Sequence, residues 1–447
     1  MCNLRSLIPF FSLFAFLIAC QPPAEPSVVD DPPSMTPKAI HEYLDTSLTD
    51  SVLYDKILGL LLGSAIGDAM GAPTEMWSKE GIQVEYGFVD SLDLVLREAS
   101  PEGAWEYNLP AGGTTDDTRW KALTIQYLQE TENRRANGSA PVLNARHFAQ
   151  FLIDRYLEGI AALKATNSFD PEPFEVNARK MTWLQEWALV AKPFVENDLE
   201  AYARALSHFY GGEMSCAGML YAPAMGAFYP GNAEMAYRQT YQLAIFDLGY
   251  ARDLSALVAA MTAEALGNQA SKTAIEEVVV NVDPEDFFKS RLIGRTAYRL
   301  FKIARSSVYR TRQMKTLYPD NEWNLPQDYP YDSLYFAQTQ LAYELLDRHL
   351  QDIPFHAGEI YLINMTALLF SEMDFQKAME FITNYGRDND TIGAVCGAIL
   401  GAFWGAEKLP RHLVEQVLET NRNELGIEIE TLARQLTNMV IKRKEEI

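Results

Sequence analysis

Residues 55–72 read DKILGLLLGSAIGDAMGA, and residues 391–405 read TIGAVCGAILGAFWG. Gly59, Gly63, Gly67 and Gly71 recur every four residues in the first stretch, and Gly393, Gly397, Gly401 and Gly405 do so in the second. A glycine inside a helix costs about 0.5–1 kcal/mol relative to alanine, so two such stripes need a compensating gain. Four-residue spacing aligns each set on one helix face, where the missing Cβ lets another backbone come close. The spacing predicts two central, buried helices packed on each other. Small-residue packing without functional meaning explains the stripes equally well until their flanks are read.

Outward from these stretches, period-3.6 patterns dominate from about Leu53. Residues 146–160 (RHFAQFLIDRYLEGI) place Phe148, Phe151, Leu152, Tyr156 and Ile160 near one face. Residues 254–266, 291–305, 333–350, 359–370, 375–384 and 411–420 behave likewise. The best strand candidate is VVVNV at 278–282. No repeat of roughly 20–50 residues is present, and no Pro/Gly/Ser linker divides the chain after residue 46. The expected fold is all-α, with one large helical domain over residues 46–447. Arg291, Arg295, Arg299 and Lys302 follow one another at spacings of four, four and three. They read as a solvated basic face in preference to an anion site.

The 447 residues are 48% apolar, 11% aromatic and 22% charged, a globular composition. A net charge of -22 repels phosphate backbones and argues against a nucleic-acid partner. The six histidines form no HxxxH pair and no CxxC occurs, which argues against zinc. Neither GxGxxG nor GxxxxGK[ST] is present, so the dinucleotide and P-loop signatures are missing.

The first 19 residues carry a single charged side chain, Arg5, and an apolar run from Leu7 to Ala19. That run is shorter than the roughly 20 residues a membrane-spanning helix needs, and fits a secretory signal. It ends Leu17-Ile18-Ala19-Cys20, which resembles the bacterial lipobox. There the cysteine is lipidated and becomes the mature N-terminus; an ordinary signal peptide with a chance cysteine is the alternative. Residues 21–37 (QPPAEPSVVDDPPSMTP) hold six prolines, so residues 20–45 read as an extended tether. Losing Arg5 leaves a mature charge of 37 − 60 = −23. Gln21, where an Asp would suggest inner-membrane retention, favours the outer membrane in a Gram-negative source. The expected location is the cell envelope, with the membrane reached through a lipid anchor only. Cys216 and Cys396 read as two buried free thiols in preference to one disulfide.

The flanks of the stripes are acidic. The first runs into Gly67-Asp68-Ala69-Met70-Gly71-Ala72-Pro73-Thr74-Glu75, and the second follows Gly386-Arg387-Asp388-Asn389-Asp390-Thr391. Between them lies Gly112-Gly113-Thr114-Thr115-Asp116-Asp117-Thr118, opening a helix over about 118–130. Asp or Thr before a helix is ordinarily an N-cap, but paired acidic clusters beside buried glycine stripes exceed that need. Adjacent carboxylates repel unless a cation neutralises them. Oxygen donors without His or Cys point to magnesium, manganese or calcium.

These three segments together resemble the ADP-ribosylglycohydrolase family, over roughly residues 55–405. GSAIGDAMGAPTE (63–75) resembles its first glycine-rich helix, TTDDT (114–118) its central element, and GRDNDTIGAVCGAILGAFWG (386–405) its late element. The resemblance implies an all-helical enzyme with two Mg²⁺ ions that hydrolyses the bond at C1″ of an ADP-ribosyl conjugate. It implies metal ligation by Glu75, Thr115, Asp116, Asp117, Asp388, Asp390 and Thr391. Glu75 or Asp117 is the expected proton acceptor for the attacking water. Gly112, Gly113, Thr114 and Asn389 are the expected substrate contacts, the first three at a helix N-terminus suited to an anion. The expected partner is a ribosyl-containing small molecule or an ADP-ribosylated protein. The chain departs from the family at 215–226 (SCAGMLYAPAMG) and 243–254 (LAIFDLGYARDL). Leu220-Tyr221 stands for a Met-Arg pair, and a Thr-His pair is replaced near Phe246-Asp247. Those segments line the substrate side in the family, so a different ribosyl or N-glycosyl substrate fits as well. A different metal-dependent hydrolase, or a non-catalytic ribosyl-ligand binder, is the alternative on the same scaffold.

Overall fold

The computed structural model describes residues 44, 47–96, 108–137, 139, 141–165, 183–315, 325–326 and 329–446. The expected signal peptide (1–19), Cys20 and nearly all of the tether lie outside them. Leu44 and Leu48 are buried on the core, so the folded body begins slightly before residue 46.

Among the described residues the regular secondary structure is helical but for two short strands, as expected. In chain order the helices are α1 (Asp50–Gly71), α2 (Lys79–Tyr86), α3 (Asp116–Arg134), α4 (Ala145–Ala165), α5 (Gln185–Val195) and α6 (Leu199–Leu206). There follow α7 (Ala217–Ala227), α8 (Ala233–Leu243), α9 (Ala251–Ala265), α10 (Lys272–Asn281), α11 (Thr296–Gln313) and α12 (Ser333–Asp347). The last are α13 (Ala357–Phe370), α14 (Phe375–Tyr385), α15 (Asn389–Trp404), α16 (Arg411–Thr420) and α17 (Ile429–Glu445). Two short strands, β1 (Val95–Leu96) and β2 (Asn108–Leu109), pair antiparallel.

α1 and α15 form the centre, packed antiparallel along their glycine faces. A Cβ on Gly63 would lie 2.2 Å from the Gly397 carbonyl oxygen, and one on Gly67 would lie 2.0 Å from that of Gly393. One on Gly59 would lie 2.4 Å from the Gly401 oxygen. Gly71 meets the Asp390 backbone in the same way, so the seam leads straight to the acidic segments. Gly405 is the exception to its stripe: it ends α15 with φ 84, beside the Asp55 carboxylate. α3 and α17 pack on α1, while α9, α13 and α14 pack on α15. α7 bridges α3 and α9. The Asp50–Thr74 helical stretch is long and apolar enough to cross a membrane, yet 94% of its apolar window is buried, as a core helix requires. Lys56 closes the far end of the pair, its Nζ donating to the carbonyls of Ala265 (2.7 Å) and Ala402 (2.8 Å). Burial lowers its pKa to about 8.

Two expectations are corrected. The VVVNV segment is helical, lying in α10 and its C-cap, where Ile275, Val278 and Val279 are buried on one face. Helical burial at i, i+3 and i+4 overrides β-branched propensity there. The basic face is also broken. Arg295 is buried and donates to both Asp253 oxygens (3.0 and 2.7 Å) and to the carbonyls of Val279 and Val282. Replacing Arg295 by methionine strands the Asp253 charge in the core. The expected loss is roughly 3–5 kcal/mol, read as a lower denaturant midpoint. Cys216 and Cys396 are free and buried.

Candidate functional site

Each acidic segment is held by backbone and buried polar contacts. At the end of α1 the Asp68 carboxylate accepts Thr115 N–H (2.9 Å) on Oδ1. Its Oδ2 accepts Thr118 N–H (3.0 Å) and Thr118 Oγ1–H (2.6 Å). Asp68 thus fixes the first turn of α3, a long-range N-cap supplied by another helix.

Beyond Thr74 the chain turns through Glu75 and Met76, the latter at φ 66. Met76 N–H donates to the Arg387 carbonyl (2.6 Å) and Arg387 N–H to that of Trp77 (2.9 Å). The Glu75 turn is therefore stapled to the loop opening α15. Gly386 has φ 80, and a Cβ there would lie 2.4 Å from the Trp77 oxygen. Arg387, at φ 66, anchors its guanidinium on Glu359 (2.6 and 3.1 Å).

Carboxylate oxygens of Glu75, Asp388 and Asp390 lie within 4.8 Å of one another. Thr115 Oγ1 is 3.5 Å from Asp390 Oδ2, and Thr391 Oγ1–H donates to Asp117 Oδ2 (3.0 Å). These contacts bring Glu75, Thr115, Asp117, Asp388, Asp390 and Thr391 near one another, and Asp116 lines the same cleft as Asp388 and Asp390. Lys121, buried on α3, reaches Asp117 Oδ1 at 3.3 Å. Burial raises the pKa of Asp68 to about 7, with Asp117 and Asp390 adding to the effect. Burial also pushes the Asp116 and Asp388 carboxyls well above the usual range, reinforced by neighbouring aspartates. Asp117 is raised by burial as well, against the pull of Lys121. So many oxygen donors around one buried lysine make a site that fits hard divalent cations.

A cleft of about 370 Å³ opens over this cluster. Glu75, Asp116, Asp388, Asp390 and Thr391 are its acidic and hydroxyl lining. Trp187, Tyr210, Phe355, Leu220 and Met76 are its aromatic and apolar lining. Trp187 is fixed edge-on to Phe246, with ring centroids 4.8 Å apart. Cys216 also lines the cleft, its Sγ 3.9 Å from Asp388 Oδ2.

Not every expected site residue lines the cleft. Asp117 is 1% exposed and sits behind the cleft, held by Thr391 and Lys121. Gly112, Gly113 and Thr114 do not line the cleft. Gly112 takes φ 88 where the loop packs on Gln416, and Thr114 Oγ1–H donates to Asn421. Asn389 turns inward, its amide donating to Thr74 Oγ1 (2.8 Å) and the Thr383 carbonyl (3.1 Å). These four contacts are structural in this arrangement. Asp68, Lys121 and the aromatic wall were missed. Only Asp68 had a readable signal, as the one acid within the first glycine stripe. Of the divergent segments, Leu220 reaches the cleft, while Asp247 lies behind it and accepts Gly218 N–H (2.8 Å).

A family model described as ADP-ribosylglycohydrolase matches residues 49–446. The chain is 44% identical over 80 residues to "Uncharacterized protein YegU" of Escherichia coli (strain K12). That stretch is 18% of this chain and 23% of the relative, so the likeness spans about a quarter of that protein. A solved chain from an "ADP-ribosylglycohydrolase-related protein complex" superposes with a TM-score of 0.51 at 18% identity. The superposition covers 87% of this chain and 99% of that one; at this identity the likeness is one of fold.

Proposed function

The chain belongs to the ADP-ribosylglycohydrolase family, and from that premise we propose a magnesium-dependent hydrolase that cleaves the C1″ glycosidic bond of an ADP-ribosyl or related ribosyl conjugate. The observation that carries the proposal is the convergence of Glu75, Asp388 and Asp390 at the acidic side of the cleft. Thr115, Asp116, Asp117 and Thr391 complete the donor set for two Mg²⁺ ions. Bound there, the ions would orient the ribose hydroxyls and acidify a water. Glu75, on its stapled turn at the cleft, would take the proton of the attacking water. Asp117, engaged by Lys121 and Thr391 and away from the cleft, belongs to the donor set and does not act as the base. The cleft carboxylates face the positive charge that develops at C1″ as the leaving group departs. The aromatic side receives the apolar face of the base or leaving group.

One observation favours a substrate other than an ADP-ribosyl conjugate. Among the described lining residues there is no lysine or arginine to receive a pyrophosphate. A ribosyl conjugate with a neutral or cationic leaving group suits such a wall. Purified protein is to be assayed against ADP-ribosyl and simple N-ribosyl conjugates, with magnesium and with chelator. Magnesium-dependent release of the free sugar from either class supports the reading; turnover that persists in chelator, or none at all, removes it.

The proposal extends to location: the mature chain begins at a lipidated Cys20 on the cell envelope. Mass spectrometry of the native protein is expected to find an acylated N-terminal peptide starting at Cys20. An intact Met1, or cleavage elsewhere without lipid, contradicts it.

A further inference from the structure

Between Lys289 and Lys315 the chain carries nine lysines and arginines and no aspartate or glutamate, in a protein of net charge -22. Part of this run is accounted for: Arg295 pairs with Asp253, Lys289 with Asp286, and Arg312 with Glu372. Arg299, Lys302 and Arg310 have no such role. At about 100° per residue they fall within an arc of roughly 80° on α11. They line a groove of about 460 Å³ whose other wall brings Arg348 and His349 from the end of α12. Among the described residues, no carboxylate lies within ion-pairing distance of these five side chains. Lys302 instead rests its Nζ 4.9 Å from the Tyr298 ring centroid.

Like charges facing each other across a groove repel, and water screens them only in part. A protein with a large excess of acids has ample means to neutralise such a groove and does not use them here. We propose that this groove binds a phosphate-bearing anion, gripped between Arg299, Lys302 and Arg310 on one wall and Arg348 and His349 on the other. Two facing walls suit a group that enters between them. Arginine forks give paired, charge-assisted hydrogen bonds to phosphate oxygens. From Arg299 to Arg310 the helix rises roughly 16 Å at 1.5 Å per residue, room for several linked phosphates. This site is separate from the acidic cleft, whose lining residues it does not share.

The test is calorimetric titration of the whole chain with sodium tripolyphosphate at physiological ionic strength, without added divalent metal. Saturable binding is expected. Arg299→Ala with Arg348→Ala should weaken it roughly tenfold or more, as loss of charge-assisted hydrogen bonds implies. Arg291→Ala with Arg305→Ala removes the same charge outside the groove and should change affinity less than about twofold. Sedimentation with phosphatidylglycerol vesicles identifies the source of the phosphate. Capture that tripolyphosphate reverses and the groove variant abolishes assigns a lipid headgroup. Tripolyphosphate binding without groove-dependent capture assigns a soluble ligand, and both results uphold the groove. No saturable binding of tripolyphosphate, or equal loss in the two double variants, overturns it.

Discussion

Asp390→Ala is expected to reduce kcat/KM for ribosyl-conjugate hydrolysis by about three orders of magnitude or more, the scale of losing a central electrostatic element of a transition-state site. The same variant should lose most of the thermal stabilisation that magnesium gives. For each ion bound, the expected gain is about 2.7 kcal/mol at a hundredfold excess of metal over Kd. Without metal the variant should be at least as stable as the wild type. The reason lies in the neighbours: after burial, the Asp390 charge is among the causes that hold Asp68, Asp116, Asp117 and Asp388 above the ordinary carboxylate range. Removing it relieves repulsion in the metal-free protein. Melting curves with and without magnesium, beside a turnover assay, check the three statements together. A variant that turns over normally, or that keeps its magnesium-induced shift, contradicts the assigned role.

The largest effect on folding is expected at the central seam. A Cβ on Gly397 would sit 2.0 Å from the Gly63 carbonyl oxygen, and one on Gly63 would sit 2.2 Å from the Gly397 oxygen. These are backbone atoms of buried helices, so no side-chain rotation relieves the overlap. Gly63→Ala or Gly397→Ala should therefore cost more than the roughly 1–3 kcal/mol typical of overpacking. Against a total stability of about 5–15 kcal/mol, the double variant is expected to lose its cooperative melt. Ser64→Ala is the matching control. Its hydroxyl is buried with no hydrogen-bond partner among the described residues, so the change should stay within about 1 kcal/mol. A Gly63→Ala, Gly397→Ala protein that melts like the wild type would mean that the two helices do not meet as described.

The seam was legible because a glycine in a helix carries a cost that only close backbone approach explains, and four-residue spacing names the face. Glu75, Asp388, Asp390 and Thr391 drew notice because they flank those two helices, and Thr115, Asp116 and Asp117 because they open a third helix with paired carboxylates. Asp68 escaped because its role depends on α3 arriving from elsewhere in the chain, although its place inside the stripe marked it. The loop at Gly112–Thr114 was misread because a glycine-rich helix entrance serves two purposes. Here its positive φ allows close packing on Gln416 in place of cradling an anion. Trp187, Tyr210 and Phe355 come from segments far apart in sequence with no shared pattern, so only the fold could assemble that wall. The divergent pair at 220–221 was read as one substrate-facing unit, but helical geometry splits it. Leu220 faces the cleft while Tyr221 turns inward to the Leu243 carbonyl.

Three acidic segments distant in sequence are proposed to form one divalent-metal site. Anomalous X-ray scattering from a crystal of the protein grown with manganese, which takes the same hard oxygen donors as magnesium, tests it most directly. Two anomalous peaks are expected among the side chains of Glu75, Thr115, Asp116, Asp117, Asp388, Asp390 and Thr391, and both should be lost in crystals of Asp390→Ala. Manganese bound elsewhere on the acidic surface, with no peak among these residues, would contradict it.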